Sequence, residues 1–226
     1  RQLDGRASQL LRHSIEQKGI QIITEANTEA LIGDENGHVK QIRLKDGTVL
    51  DADLVVFAVG IRPNIALAQS AGLRCNRGVL VNDTMQTFDP SIYAVGECIE
   101  HRGQTFGLVE PLWGQAFICA THLAEHGSLT FKAPTVPTQL KVSGVDVFSA
   151  GNFEPKDDYE DIILNDEKRQ IYKRIIIQND RVIGAVLFGD TEDGMWYAEL
   201  IADQTPVSSF RNKLLFGRDF ALKNAG

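Results

Sequence analysis

Hydrophobic and polar positions change their spacing several times along this chain. The first residues carry apolar side chains at helical spacing, with Asp4 placed to cap a helix and Gly19 to end it. Residues 19–24 (GIQIIT) are then expected to form a strand, followed by a meander with strands at 28–32, 38–44 and 48–51. Its turns are the hairpin signals Asn36-Gly37 and Asp46-Gly47. The pattern therefore predicts a helix, a strand and an antiparallel meander before residue 52.

Two later segments share another pattern, a continuously apolar strand that ends in a glycine. Residues 54–59 (LVVFAV) lead into Gly60 and Pro63, and residues 92–95 (IYAV) lead into Gly96 and Glu97. Strands that are apolar on both sides are typical of a parallel sheet covered on both faces. Ligands bind beyond the carboxyl ends of such strands, where glycine allows close approach and an acid can accept hydrogen bonds from sugar hydroxyls.

A proline marks the beginning of the next helix. Pro111 stands where the first helical residue is expected, and the helix should reach about residue 125. Leu112 and Trp113 follow in its first turn, where they could pack near a bound ring or in the core.

Beyond residues 133–137 (APTVP) the pattern becomes that of a separate α+β module. Strands are predicted at 138–148, 159–164, 170–178 and 181–188, and short helices at 192–202 and 207–216. Asn179-Asp180 should close the last hairpin. Lys173 and Arg174 lie on one of these strands, where we expect a solvated face or contact with a redox partner.

Composition narrows the classes of function. The net charge of −7 argues against a nucleic-acid-binding surface, which needs a basic patch. The three cysteines form no C-x-x-C pair, so neither a redox dithiol nor a metal or iron–sulfur site is expected. Scattered cysteines in odd number fit a reducing cytoplasm. No apolar run is long enough for a bilayer. The chain begins at Arg1 without Met, which suggests a piece of a longer protein.

The two strand-glycine segments carry a family resemblance. GIRPN from Gly60, and TFDPSIYAVGE ending in Glu97, resemble the second and third fingerprints of the FAD- and NAD(P)H-dependent reductases with two dinucleotide-binding domains. Residues 95–103, 107–113 and 140–151 further resemble the large subunit of assimilatory NAD(P)H-nitrite reductases. Glu97 stands where Asp is usual in the wider family.

The resemblance implies an α/β fold: a partial two-dinucleotide-binding flavoprotein fold plus a C-terminal α+β interface domain. Residues 1–52 would be a remnant of the NAD(P)H-binding domain, 53–127 the returning segment of the FAD-binding domain, 128–137 a linker and 138–226 the interface domain. The residues expected to bind cofactor are Gly60, Pro63, Gly96, Glu97, Pro111, Leu112 and Trp113. No catalytic or metal-binding residue is assigned.

The 226 residues contain no G-x-G-x-x-G loop. We therefore expect the parent protein to bind FAD and NAD(P)H, and residues 1–226 alone to bind neither. Any siroheme and iron–sulfur centres are expected outside these residues. The implied function is electron transfer from NAD(P)H through FAD in a cytoplasmic nitrite reductase. Two alternatives stay open, a stand-alone ferredoxin- or rubredoxin-reductase-like enzyme and a non-catalytic dimerisation or interaction module.

Overall fold

The computed structural model describes residues 2–125, 127, 129–134, 137–142, 144–154 and 158–223. In chain order its helices and strands are α1 (Gly5–Glu16), β1 (Thr28–Gly33), β2 (Val39–Leu44), β3 (Val49–Asp51), α2 (Ala66–Ser70), β4 (Val79–Val81), β5 (Ile99–His101), β6 (Gln104–Thr105), α3 (Val109–Leu123), β7 (Thr138–Val142), β8 (Val145–Gly151), β9 (Glu160–Asp166), β10 (Ile171–Gln178), β11 (Arg181–Phe188), α4 (Gly194–Asp203), a 3-10 helix (Arg211–Phe216) and α5 (Arg218–Leu222).

The chain divides into two units. The middle unit is Gln21–Phe131, and the terminal unit joins Arg1–Ile20 to Lys132–Gly226. Helix α1 is thus in the same unit as the C-terminal strands. The domain boundaries expected from the sequence remain a prediction.

In the middle unit, the predicted meander is confirmed. Strands β1, β2 and β3 form an antiparallel sheet in that order. Gly37 and Gly47 adopt φ of 81° and 89°, the left-handed values that these turns require. Asp34 fixes the first turn by accepting hydrogen bonds from the backbone N–H of Asn36 and of His38, both at 2.9 Å.

A second small sheet in this unit orders β4, β5 and β6, with β4 parallel to β5. The buried carboxylate of Glu100 accepts hydrogen bonds from the backbone N–H of Arg77 at 2.8 Å and of Gly78 at 3.2 Å. Burial raises the pKa of Glu100, but hydrogen bonds from Asn76 and these two amides outweigh it and lower the pKa. Gly78 is required here, since a Cβ would overlap the Ile99 backbone.

The terminal unit is built on a five-stranded antiparallel sheet in the order β7-β8-β11-β10-β9. Helix α4 and the 3-10 helix cover one face, around Tyr197 and Leu214. Helix α1 lies on the other face, where Ala7 packs among Val147, Val186 and Phe188. The predicted Asn179-Asp180 turn is confirmed, with φ of 49° and 61°.

The predicted cap of α1 is also confirmed. Asp4 Oδ1 accepts a hydrogen bond from Ala7 N at 2.9 Å. Its Oδ2 accepts one from the hydroxyl of Tyr172 at 2.8 Å. Burial, reinforced by this hydrogen bond, raises the pKa of Tyr172.

Three predicted strands are wrong. Residues 19–24 and 54–59 form no strand, and 92–95 contribute only an isolated bridge between Gln86 and Tyr93. Exposed apolar side chains mark the second segment: Leu54, Val56, Phe57 and Val59. A strand needs a neighbour for its backbone hydrogen bonds, and no described segment pairs with 54–59.

Other corrections concern the terminal unit. The strand predicted over 138–148 is a hairpin of β7 and β8, in which Gly144 has φ of 78°. The helix predicted at 207–216 is the shorter 3-10 helix, followed by α5.

Lys173 and Arg174 do not form a solvated face. Lys173 is 5% exposed, and its Nζ lies 2.7 Å from Asp190 Oδ2. Arg174 donates hydrogen bonds to both carboxylate oxygens of Asp161, at 3.0 and 2.9 Å. Lys173 and Arg174 are therefore both paired with carboxylates of the same unit.

Candidate functional site

The segment before Gly96 is folded back on itself by short-range hydrogen bonds. The backbone N–H of Thr87 donates to Ile92 O at 2.9 Å, and Asp89 N donates to Thr87 Oγ1 at 3.2 Å. Ala94 N then donates to Met85 O at 3.0 Å. The threonine-to-proline part of the motif thus forms a turn that directs residues 92–95 toward Gly96.

Gly96 and Glu97 form the turn at the end of this segment. Gly96 has φ of 100°, and a Cβ there would meet nothing within 4 Å, so the space beside it is open. Its N–H donates to Gln115 Oε1 at 2.8 Å, and its carbonyl accepts from Ile99 N at 3.4 Å. Glu97 is exposed to solvent. A carboxylate thus stands at an open position beside a glycine.

Helix α3 begins at Val109, so Pro111 is its third residue and not the first as predicted. Leu108, the residue before the helix, is extended, with φ of −122° and ψ of 146°. Proline is still tolerated there, since the N–H groups of the first turn have no intrahelical acceptor. No side chain caps this end, so the N–H groups of Val109 and Glu110 and the positive end of the helix dipole are available to an anionic group.

The buried face of α3 is tied to the preceding segment by polar contacts. Gln115 is fully buried and holds the Gly96 amide, and His122 Nδ1 lies 2.8 Å from the hydroxyl of Tyr93. Gln115 Nε2 is buried without a hydrogen-bond partner among the described residues. Leaving such a donor unpaired costs roughly 1–3 kcal/mol. Sequence reasoning missed Gln115, although a polar side chain on the buried face of an otherwise apolar helix was a usable signal.

The opposite face of α3 carries a row of exposed apolar side chains, here called the α3 stripe: Val109, Trp113 and Phe117. They are 62%, 73% and 63% exposed. Core packing, one of the two expectations for Trp113, is therefore wrong in this structure. Leu112, which neighbours the stripe, is half-buried.

The first glycine segment reaches the same end of α3. Gly60 is exposed with φ of 88°, and Pro63 is half-buried. Ile61, which lies between them, is close to Gly107: a Cβ added to Gly107 would be 3.3 Å from Ile61 Cδ1. Gly107 directly precedes Leu108, so the Gly60 loop approaches the beginning of α3.

These residues fit one edge of a flavin better than they fit a metal. The available groups are an open glycine, an exposed carboxylate, an uncapped helix beginning and a buried amide with an unused donor. Hydroxyl groups and an electron-rich ring edge are suitable partners for this set. Within the described residues no group of three or more His, Cys, Asp and Glu could hold a metal ion. Nor does any described helix have the length and apolar character needed to cross a membrane.

Comparison with known protein families gives two matches. Residues 1–116 match the model of the pyridine nucleotide-disulphide oxidoreductases. Residues 137–205 match the rubredoxin NAD+ reductase C-terminal domain.

Individual relatives agree with these matches. A nitrite reductase [NAD(P)H] of Bacillus subtilis is 46% identical over 208 residues, which are 92% of this chain and 26% of the relative. The assimilatory nitrate reductase electron transfer subunit of the same organism is 39% identical over 95% of this chain and 28% of its own length. The chain thus spans about a quarter of either relative, as the 26% and 28% shares show.

Among solved structures, the covalent complex of putidaredoxin reductase with putidaredoxin is similar, with a TM-score of 0.79 at 25% identity. The likeness covers 99% of this chain and 54% of the solved chain. The expected fold class, that of the two-dinucleotide-binding flavoprotein reductases, is confirmed.

Proposed function

Because the chain belongs to the pyridine nucleotide-disulphide oxidoreductase family, we propose that it is part of an FAD-dependent reductase that takes electrons from NAD(P)H. The observation that carries the proposal is the Gly96-Glu97 turn, fastened by Gln115 beside the uncapped beginning of α3. We further propose that the longer protein is a cytoplasmic nitrite reductase, in accord with the relative that is 46% identical. Any siroheme and iron–sulfur centres would then lie outside these residues.

Each residue of the site has a defined task in this proposal. When bound, FAD supplies the two-electron chemistry of hydride acceptance and the one-electron chemistry of delivery to a redox partner. The Glu97 carboxylate accepts hydrogen bonds from flavin hydroxyls, and Gly60 and Gly96 leave room for the cofactor. The beginning of α3, with Pro111, Leu112 and Trp113, would hold the flavin ring, and the positive end of the helix dipole would favour negative charge there. Pro63 keeps the Gly60 loop rigid.

The test is the flavin affinity of the full-length protein carrying Glu97→Ala. A hydrogen bond to a charged group contributes roughly 1.5–3 kcal/mol, so FAD should dissociate about tenfold more readily or worse. Flavin fluorescence during FAD titration of the apoprotein measures this change. Glu35→Ala, which removes another exposed acid in the β1–β2 turn, is the matched control and should leave FAD affinity unchanged. Equal affinities for both variants would refute the role of Glu97.

A second candidate function is a stand-alone ferredoxin- or rubredoxin-reductase-like enzyme. The match of residues 137–205 to the C-terminal domain of rubredoxin NAD+ reductases favours it. The two candidates differ in electron acceptor. The test compares the rates at which the full-length protein oxidises NAD(P)H with nitrite and with rubredoxin as acceptor.

We also propose that the terminal unit provides a homodimer or interaction interface, which is the alternative of another class that the sequence left open. Sedimentation of residues 1–226 without flavin tests it, because α1 belongs to the same unit as residues 132–226, and a stable dimer would support the interaction role. A monomer at all concentrations tested would count against that role.

A further inference from the structure

One buried side chain of the site, that of Gln115, has no task in the function proposed above. Gln115 lies in the second turn of α3, is fully buried, and bonds to a turn 19 residues earlier in the chain. Its neighbours on the buried face of the helix include Ile118 and Cys119. A leucine could fill the same space with no polar atom to satisfy.

The orientation of the Gln115 amide is determined by its partner. The backbone N–H of Gly96 is a donor, so the Gln115 atom 2.8 Å away must be the carbonyl oxygen. Nε2 therefore faces away from Gly96, and it has no partner among the described residues. Both N–H donors of this buried amide are therefore unused. Among the described residues, the Gln115 amide bonds through its oxygen, to the Gly96 N–H.

This bond is the shorter of the two backbone hydrogen bonds that Gly96 makes in the described structure. The Gly96 carbonyl accepts from Ile99 N at 3.4 Å, beyond the usual range for an N–H···O bond, whereas the bond to Gln115 is 2.8 Å. Gly96 has no Cβ to restrict its φ of 100°. The bond to Gln115 therefore fixes the Val95–Gly96 peptide, from which the chain enters the turn, while the longer bond from Ile99 N holds the Gly96 carbonyl. The position of Glu97, the next residue, depends on this fixed entry.

We propose that Gln115 is a positioning residue that fixes the Gly96-Glu97 turn for flavin binding through its bond to the Gly96 amide. The inference rests on the function proposed above, and it assigns to a residue of α3 the control of an acid that lies elsewhere in the chain. Gln115 acts through Gly96 and Glu97 and does not itself react.

The first measurement needs no flavin. In the full-length apoprotein, hydrogen exchange of the Gly96 amide should be at least about tenfold faster in Gln115→Leu, because its acceptor is gone. Gln115→Glu keeps an acceptor oxygen at the same place, so exchange of the Gly96 amide should rise less than in Gln115→Leu, although the buried carboxyl lowers overall stability. Ile118→Val trims the same buried face without touching the bond, so it is the matched control and should not change this exchange.

The second measurement is FAD binding by the same variants. Gln115→Leu should weaken FAD binding about tenfold and shift the visible absorption band of the bound flavin. Ile118→Val should alter neither. Unchanged Gly96 exchange and unchanged FAD affinity in Gln115→Leu would overturn the inference, as would equal effects of Gln115→Leu and Ile118→Val. If the unmodified protein binds no FAD, the proposed function fails, whereas the exchange experiment still decides whether Gln115 fixes the turn.

Discussion

The buried ion pair between Lys173 and Asp190 allows a quantitative test of the terminal unit. Lys173 on β10 pairs with Leu187, which is near the end of β11 and three residues before Asp190. The Lys173 side chain therefore lies close to Asp190. Their side chains are unequally exposed, 6% for Lys173 and 36% for Asp190, at an Nζ–Oδ2 distance of 2.7 Å. Removing either partner leaves a different charge behind. We therefore predict unequal losses.

Asp190→Asn leaves an ammonium group that is almost inaccessible to water. Removing one partner of a buried pair costs about 3–5 kcal/mol, and the lower end applies because Asn still accepts one hydrogen bond. Lys173→Met leaves a carboxylate that remains 36% exposed, so its loss should be about 1–2 kcal/mol. The double variant should be more stable than Asp190→Asn alone, because no unpaired charge remains.

The assay is urea unfolding followed by tryptophan fluorescence. The chain has two tryptophans, so Trp113→Phe as background leaves Trp196, which is 6% exposed in the core of the terminal unit, as the reporter. Unchanged slopes with shifted midpoints would indicate that stability alone has changed. Equal losses for the two single variants, or a double variant whose loss equals their sum, would refute the reasoning.

Three further predictions follow from other parts of the molecule. Hydrogen bonds from Arg102, and to a smaller extent from His101, lower the pKa of Asp83 from its usual 3.8 to about 2. The contribution of Asp83 to stability should therefore be complete above pH ~4 and be lost as the pH falls toward ~2. Asp83→Asn should flatten the pH dependence of the urea midpoint between these values, and an unaltered pH dependence would contradict the assignment. Gly78→Ala should destabilise the middle unit by about 1–3 kcal/mol, since its Cβ would overlap the Ile99 backbone. A melting temperature equal to that of Gly5→Ala, where φ is not left-handed and the Cβ meets nothing within 4 Å, would contradict this. Residues 1–226 alone should bind no stoichiometric FAD, because they contain no G-x-G-x-x-G turn for the pyrophosphate, and a saturable flavin absorbance spectrum would show that the site is misplaced.

Local signals in the sequence predicted local structure well. The turns at Asn36-Gly37 and Asn179-Asp180 depend on residues that tolerate positive φ, and the cap at Asp4 depends on a contact three residues away. Strands β10 and β11 were predicted to within one residue, because a turn signal joins two apolar runs. Such features are determined by neighbours in sequence.

Features that depend on distant partners could not be read in the same way. Residues 54–59 have the composition of a buried strand, yet a strand forms only where another supplies its hydrogen bonds. The pairing of Gln115 with Gly96 spans 19 residues, and the burial of Lys173 depends on a carboxylate beyond the next strand. The site residues were identified by family resemblance, whereas the contact that orients them required coordinates.

The α3 stripe connects the stability of the middle unit to its proposed function. A helix that is apolar on all sides is typical of one enclosed by protein, and α3 has apolar side chains on its buried face and along the stripe. Large aromatic side chains bury about 150–250 Å² each, and Trp113 and Phe117 are 73% and 63% exposed, so covering both would contribute about 5–8 kcal/mol at ~25 cal/mol per Å². Under the proposed function, the flavin covers Trp113 and the rest of the FAD-binding domain covers Phe117. The same contacts would then hold α3 against the Gly96-Glu97 turn, so flavin affinity and the stability of the middle unit should rise and fall together across stripe variants such as Phe117→Ala.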